Sequence, residues 1–131
     1  MQKNPRTLDH TRGILIVEDD KLLRDLLTEK LERSGFKVVG AIDGKQALEK
    51  LNDVAPALII LDLVLPGLDG FEILHHLKEN PATKTIPVLV LSNLGDKSDV
   101  RRAKDLGAKE YLIKAHYTLD DITRRVEEMV S

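Results

Sequence analysis

Ala57-Leu58-Ile59-Ile60-Leu61-Asp62 is a run of five apolar residues that ends on an acid. An unbroken apolar run of this length, with no polar alternation, describes a strand covered on both faces, as in a parallel sheet. Asp62 then stands at the carboxyl end of a buried strand.

Toward the N-terminus, Ile14 to Val17 forms another apolar run and leads into Glu18-Asp19-Asp20. Leu22, Leu23, Leu26, Leu27 and Leu31 follow at helical spacing, with Asp20 as the cap and Gly35 as the end of a first helix. Phe36 to Val39 reads as a second strand, and Asp43-Gly44 introduces a second helix over about Lys45 to Leu51. Toward the C-terminus, Asp69 with Glu72 makes a capping pattern for a third helix through Lys78, stopped near Asn80-Pro81. Ile86 to Leu91 is a fourth strand with Ser92 just past it, and Asp96 can cap a fourth helix that Gly107 ends. Glu110 to Ile113 is a fifth strand running into Lys114, and Thr118 with Asp121 caps a last helix to about Val130.

Strands alternating with helices imply an α/β domain, doubly wound about a five-stranded parallel sheet. Ligands of such sheets bind outside the carboxyl ends of the strands. Glu18, Asp19, Asp62, Ser92 and Lys114 each follow a strand, so one fold brings all five to one edge.

The 131 residues suit a single domain of residues 14–131, preceded by a polar segment, residues 1–13, that reads as a flexible extension. A composition with 32% charged and 42% apolar residues is that of a folded protein. Lys plus Arg is 20 against 22 for Asp plus Glu, so a net charge of -2 offers no bulk attraction to nucleic acid or anionic membrane. The absence of cysteine excludes disulfides, thiolate metal sites and thiol nucleophiles, and accords with a cytoplasmic location. No apolar run approaches the length of a membrane span or the core of a secretion signal. His75 and His76 fall mid-helix and His10 and His116 in loops, without the spacing of a metal site.

Three carboxylates converging on one edge repel by roughly 2 to 4 kcal/mol per close pair at an effective dielectric near 20. A hard divalent cation offsets this, taking one or two carboxylates and a backbone carbonyl and leaving positions for water and phosphate oxygens. Asp19 and Asp62 are the expected direct ligands, the carbonyl of Val64 a third, and Glu18 an acceptor through water. An aspartate so placed can be a nucleophile toward phosphorus when a metal and a cation neutralise the incoming charge. Lys114 supplies that cation, and Ser92 a hydroxyl able to donate to a phosphoryl oxygen.

The segments Ile14-Leu-Ile-Val-Glu-Asp-Asp20, Leu61-Asp-Leu-Val-Leu-Pro-Gly-Leu-Asp-Gly70, Leu91-Ser92 and Gly107-Ala-Lys-Glu-Tyr-Leu-Ile-Lys114 together resemble receiver domains of two-component response regulators. The match covers about residues 14–131. It implies a flavodoxin-like (βα)5 fold with strand order 2-1-3-4-5, Asp62 as phosphoacceptor, and Glu18 and Asp19 as the acidic metal pair for Mg²⁺, for which Mn²⁺ can substitute. It further implies Ser92 as the switch hydroxyl, Lys114 as the phosphate-sensing lysine and Tyr111 as the aromatic switch. The phosphodonor would be a sensor histidine kinase or a phosphotransfer protein. A downstream protein or output domain would meet helix four, strand five and helix five, which carry Arg101, Arg102, Lys104, Lys109, Tyr111, Arg124 and Arg125. Such a domain is a switch, not a turnover enzyme.

Three departures stand out. Ala115 follows Lys114 where the family usually has a cis proline, Asn93 follows the switch hydroxyl where a small residue is usual, and the positions that tune dephosphorylation hold Val64 and Leu94. Both of the last are apolar and unable to orient an attacking water, which implies slow self-dephosphorylation. A metal-dependent phosphatase with an aspartyl nucleophile would need an acid at Val64. A nucleotide or flavin binder would need a Gly-rich or Ser/Thr-rich turn in place of Glu18-Asp19-Asp20. A pseudo-receiver acting only as a binding module fits poorly with an intact acidic pair, acceptor and lysine.

Overall fold

A computed structural model describes residues 12–131, so the expected extension lies almost wholly outside the described residues. The strands are β1 (Gly13–Val17), β2 (Lys37–Ala41), β3 (Leu58–Leu61), β4 (Val88–Ser92) and β5 (Glu110–Ile113). Between and after them run α1 (Lys21–Arg33), α2 (Gly44–Lys50), α3 (Gly70–Glu79), α4 (Lys97–Asp105) and α5 (Leu119–Val130), with a short 3-10 turn over Lys114–His116. All strand pairs are parallel and their order is β2-β1-β3-β4-β5, the doubly wound, flavodoxin-like arrangement expected.

Alternation along the strands divides the core into two layers. Leu15, Val17, Ile59, Leu61, Val88 and Val90 face α2, α3 and α4, where they meet Ala47, Phe71, Leu74, Leu77 and Ala103. Ile14, Ile16, Leu58, Ile60, Leu89 and Leu91 face α1 and α5, where they meet Leu27, Leu31, Ile122 and Val126. All these side chains are buried. At about 1.5–3 kcal/mol for each large apolar side chain removed from water, the two layers are the main source of stability.

Every α-helix start but that of α4 is capped by a side chain. Asp20 Oδ1 accepts the N–H of Leu23, and Asp69 and Thr118 each close a reciprocal capping box, with Glu72 and Asp121. Asp96 is the N-cap of α4, but its side chain makes no capping bond.

Several boundaries differ from the sequence reading. Gly13 belongs to β1, paired with Lys37, and β2 extends through Gly40 and Ala41, whose backbones continue the ladder beside Ile16 and Val17. In β4, Ile86 and Pro87 stay outside the strand: Pro87 accepts from the Ile59 N–H through its carbonyl but has no N–H to return. The strand instead ends on Ser92, paired with Ile113, so Ser92 is its last residue and not the first beyond it.

Register aligns the chemistry. Val17 pairs with both Ala41 and Leu61, the Glu18 N–H donates to the Ala41 carbonyl at 2.9 Å, and the Asp62 N–H donates to the Val17 carbonyl at 3.0 Å. Ser92 stands beside the residue preceding Lys114.

Candidate functional site

The carboxylates of Glu18, Asp19 and Asp62 converge at the carboxyl edge of the sheet, each offering an oxygen within 4.8 Å of the others. Glu18 and Asp62 are buried, while Asp19 is exposed at the rim. Asp62 can turn its carboxylate to this edge because β3 ends at Leu61 and α3 starts directly against the following turn. A Cβ at Gly70 would lie 2.3 Å from Leu63 Cα and 2.6 Å from the Asp62 carbonyl oxygen, so only glycine allows that approach.

Lys114 reaches in from the end of β5. Its Nζ lies 2.7 Å from Asp62 Oδ2 and 2.8 Å from Glu18 Oε1, bridging the two buried acids. The other Asp62 oxygen accepts the Val64 N–H at 3.1 Å, and Glu18 Oε2 accepts the Asp20 N–H at 3.0 Å. Burial pushes the Glu18 carboxyl above its ordinary value. The bonds from Lys114 and from the Asp20 N–H oppose that shift without cancelling it, and the nearby Asp62 charge adds to it. For Lys114, burial alone would favour the neutral amine, but the hydrogen bonds to Asp62 and Glu18 outweigh it and hold the ammonium above its usual value.

Ser92 is fully buried, and its Oγ accepts the Leu94 N–H at 3.3 Å. Tyr111 donates its hydroxyl hydrogen to the Leu94 carbonyl at 2.6 Å. One backbone residue, Leu94, therefore touches both expected switch side chains. Burial, and after it the charges of Asp99, Asp62 and Asp96, push the Tyr111 phenol up to about 12.

Val64 is 56% exposed beside the acceptor, and the Leu94 side chain packs on the core. Asn93 is exposed. No cis peptide occurs among the described residues, so Lys114–Ala115 is trans. His75, His76 and His116 are exposed, and His10 lies outside the described residues. Among the described residues, no helix is long and apolar enough to cross a membrane.

The basic residues expected on the α4, β5 and α5 side are partly engaged. The Arg102 guanidinium stacks 4.1 Å from the Phe71 ring centroid, Arg125 contacts Glu110 and Glu128, and Arg124 contacts Asp121. Arg101, Arg102, Lys104, Lys109 and Arg124 are exposed.

Two basic side chains make contacts near the site and before β4 that had no signature in the sequence. Arg24 donates from Nη1 to the Glu18 carbonyl at 2.7 Å. Lys78 donates from Nζ to the carbonyls of Lys84 and Ile86 at 3.1 and 2.7 Å, tying down the loop before β4. Each is a basic side chain on a helix reaching a distant backbone carbonyl, a pairing that no residue spacing announces.

Comparison with known proteins agrees with this geometry. Residues 14–127 match the family model of the response regulator receiver domain. The phosphate regulon transcriptional regulatory protein PhoB of Escherichia coli is 40% identical over 103 residues, covering 79% of this chain and 45% of its own length. The chain spans about half the length of the curated relatives it matches. Among solved structures, the Mn²⁺-bound form of the response regulator Rcp1 superposes with a TM-score of 0.75 at 33% identity, over 90% of this chain and 91% of that one. The phosphorylated cyanobacterial phytochrome response regulator RcpA gives a TM-score of 0.77 at 34% identity, over 90% of each chain. With the sheet order, the acidic edge and these matches in agreement, the chain belongs to the receiver domain family of two-component response regulators.

Proposed function

We propose that Asp62 accepts a phosphoryl group from the phosphohistidine of a sensor histidine kinase or phosphotransfer protein in a Mg²⁺-dependent reaction. The observation that carries this reading is Lys114 Nζ bridging Asp62 Oδ2 and Glu18 Oε1 inside a triad of carboxylates. Three acids and one lysine leave the edge anionic, and all the donors are hard oxygens, the set that suits Mg²⁺ and admits Mn²⁺. Asp19 and Asp62 would ligate the ion directly, with the Val64 carbonyl as a third ligand and Glu18 acting through water. When bound, the ion supplies charge neutralisation for the carboxylates and for the phosphoryl oxygens. Rcp1, a relative solved with Mn²⁺, and RcpA, a relative solved phosphorylated, support the assignment.

In the transfer, an Asp62 carboxylate oxygen forms the new bond to phosphorus as the phosphorus–nitrogen bond of the donor breaks. The electron pair stays on the imidazole nitrogen. Lys114 pairs with Asp62 before the step and with a phosphoryl oxygen after it. Ser92 donates its hydroxyl hydrogen to another phosphoryl oxygen. Because Leu94 is bonded to both Ser92 and Tyr111, a shift of Ser92 toward the phosphoryl group would reach the α4, β5 and α5 face where a downstream protein or output domain docks. The domain acts in the cytoplasm as a stoichiometric switch without turnover of external substrates, and Val64 and Leu94 leave its dephosphorylation slow.

The test is phosphotransfer from a phosphorylated histidine kinase in Mg²⁺, read by intact mass. One phosphoryl group should be gained by the wild type and none by Asp62→Asn or in excess chelator. A phosphorylated Asp62→Asn protein would refute the acceptor, and repeated hydrolysis of phosphate esters would refute the switch.

A further inference from the structure

The acidic turn has a second cation beside it, on the side away from Lys114. Arg24 lies about one turn into α1, and its Nη1 donates to the Glu18 backbone carbonyl at 2.7 Å. It reaches that carbonyl by lying across Gly40 of β2. A Cβ at Gly40 would stand 3.1 Å from Arg24 Cδ, closer than side chains ordinarily approach, and in ordinary contact with Cγ at 3.5 Å. The backbone of Glu18 is thereby held at both ends, its N–H by Ala41 and its carbonyl by Arg24. Its carboxylate is likewise held on both oxygens, by Lys114 and by the Asp20 N–H.

Asp19 differs from its two neighbours. It is the exposed member of the triad, and its carboxylate has no hydrogen-bond or ion-pair partner among the described residues. Its direction is set by its own backbone, which begins with the peptide whose carbonyl Arg24 holds. We propose that Arg24 is a positioning residue for the divalent-cation site: through the Glu18 carbonyl it fixes the Glu18–Asp19 peptide and so aims Asp19 at Glu18 and Asp62. Gly40 provides the clearance that lets it do so. This rests on the metal assignment made above.

The sign of the effect separates positioning from plain electrostatics. Arg24 is a positive charge near a cation site, so by charge alone its removal would tighten Mg²⁺ binding. By positioning, its removal loosens the site, and loss of a partner that orients a ligand typically costs about 10- to 100-fold in metal affinity.

The experiment is calorimetric titration of the full chain with MgCl₂, alongside urea unfolding in chelator to report the metal-free fold. Arg24→Ala is expected to bind Mg²⁺ about tenfold more weakly than the wild type. Arg24→Lys, which keeps a donor on a long stem, recovers most of that affinity. Gly40→Ala, whose Cβ crowds the arginine at Cδ and meets Nε only at an ordinary 3.6 Å, weakens binding in the same direction. Unchanged or tighter binding by Arg24→Ala overturns the proposal. So does equal weakening in Arg24→Lys, which would leave only a packing role. If Arg24→Ala does not fold, the Arg24→Lys and Gly40→Ala titrations decide the matter. A wild type that takes no Mg²⁺ overturns the metal assignment itself, and this proposal with it. A wild type that binds while Arg24→Ala binds equally overturns this proposal alone.

Discussion

The Lys114 ammonium lies 2.7 Å from Asp62 Oδ2, joining residues 52 positions apart in the chain. It also holds Glu18 at 2.8 Å, so a single lysine balances two buried acids.

Replacing that lysine leaves both acids buried without their counter-ion. Removing one partner of a buried pair is costly because the other charge stays desolvated. Lys114→Ala is expected to lose about 2–3 kcal/mol of folding free energy in chelator, below the roughly 3–5 kcal/mol of a fully buried pair because the lysine stem is partly exposed. Added Mg²⁺ should restore part of the loss, since it supplies the missing positive charge. Urea unfolding with and without Mg²⁺ measures both. A variant as stable as the wild type in chelator would show that the bridge contributes nothing to the fold.

The start of α3 against the acceptor turn makes Gly70 a second sensitive point. A methyl group there would meet the backbones of Leu63 and Asp62 at 2.3 and 2.6 Å, and backbone cannot step aside as a flexible side chain can. Gly70→Ala should cost about 3 kcal/mol or more, at the severe end of overpacking, and should lower phosphoryl acceptance by Asp62 in the fraction that still folds. Gly95→Ala is the control. Its added Cβ would come no nearer than 3.4 Å to Ile113 Cδ1, an ordinary contact, so the change should stay within about 0.5 kcal/mol. Equal stabilities of the two variants would contradict the packing at Gly70.

Tyr111 gives the pH dependence. Its phenol is raised from 10.0 to about 12, first by burial and then by Asp99, Asp62 and Asp96. A raised folded-state value means the native protein holds the proton more tightly than the unfolded chain. The contribution is fully present below pH 10 and is lost as pH rises through 12. Between those limits, urea midpoints should fall more steeply for the wild type than for Tyr111→Phe. At neutral pH the variant should be about 1 kcal/mol less stable through loss of the bond to Leu94. Parallel profiles would mean that Tyr111 titrates as it does in the unfolded chain.

The features legible in the sequence were those with a local physical cause. Leu58–Leu61 is apolar throughout because helices cover both faces of β3, and Asp20, Asp69 and Thr118 cap helices by bonds within three residues. The five site residues could be placed together because each ends or follows a strand, and parallel strands share one carboxyl edge. Boundaries failed where backbone pairing runs past the apolar pattern, as at Gly40 and Ala41, or where proline interrupts the ladder, as at Pro87. Pairings across the fold, such as Arg24 with the Glu18 carbonyl and Lys78 with the loop before β4, depend on the packed shape and leave no spacing to read. The close approach of Gly70 to Asp62 emerged only from the helix position.

The last expectation concerns how long Asp62 would keep its phosphoryl group. Hydrolysis needs a water aligned opposite the bond from Asp62 to phosphorus, and a polar side chain near the site can hold it there. Val64 sits beside the acceptor with its N–H bonded to Asp62 Oδ1 and an exposed, apolar side chain. Leu94 turns its side chain to the core, while its backbone is committed to Ser92 and Tyr111. Neither side chain can orient water. Because Val64 is exposed, Val64→Glu should fold with little change in stability and bring a proton acceptor to the site. The phosphoryl lifetime should shorten, approaching about 100-fold, the low end of what a positioned proton acceptor supplies. Leu94→Asn should do less, since it must first leave the core, and should cost stability as well. Decay of the phosphorylated protein followed by intact mass after removal of the donor measures each rate. A wild-type lifetime of only seconds, or a Val64→Glu rate equal to that of the wild type, would show that some other group governs the loss.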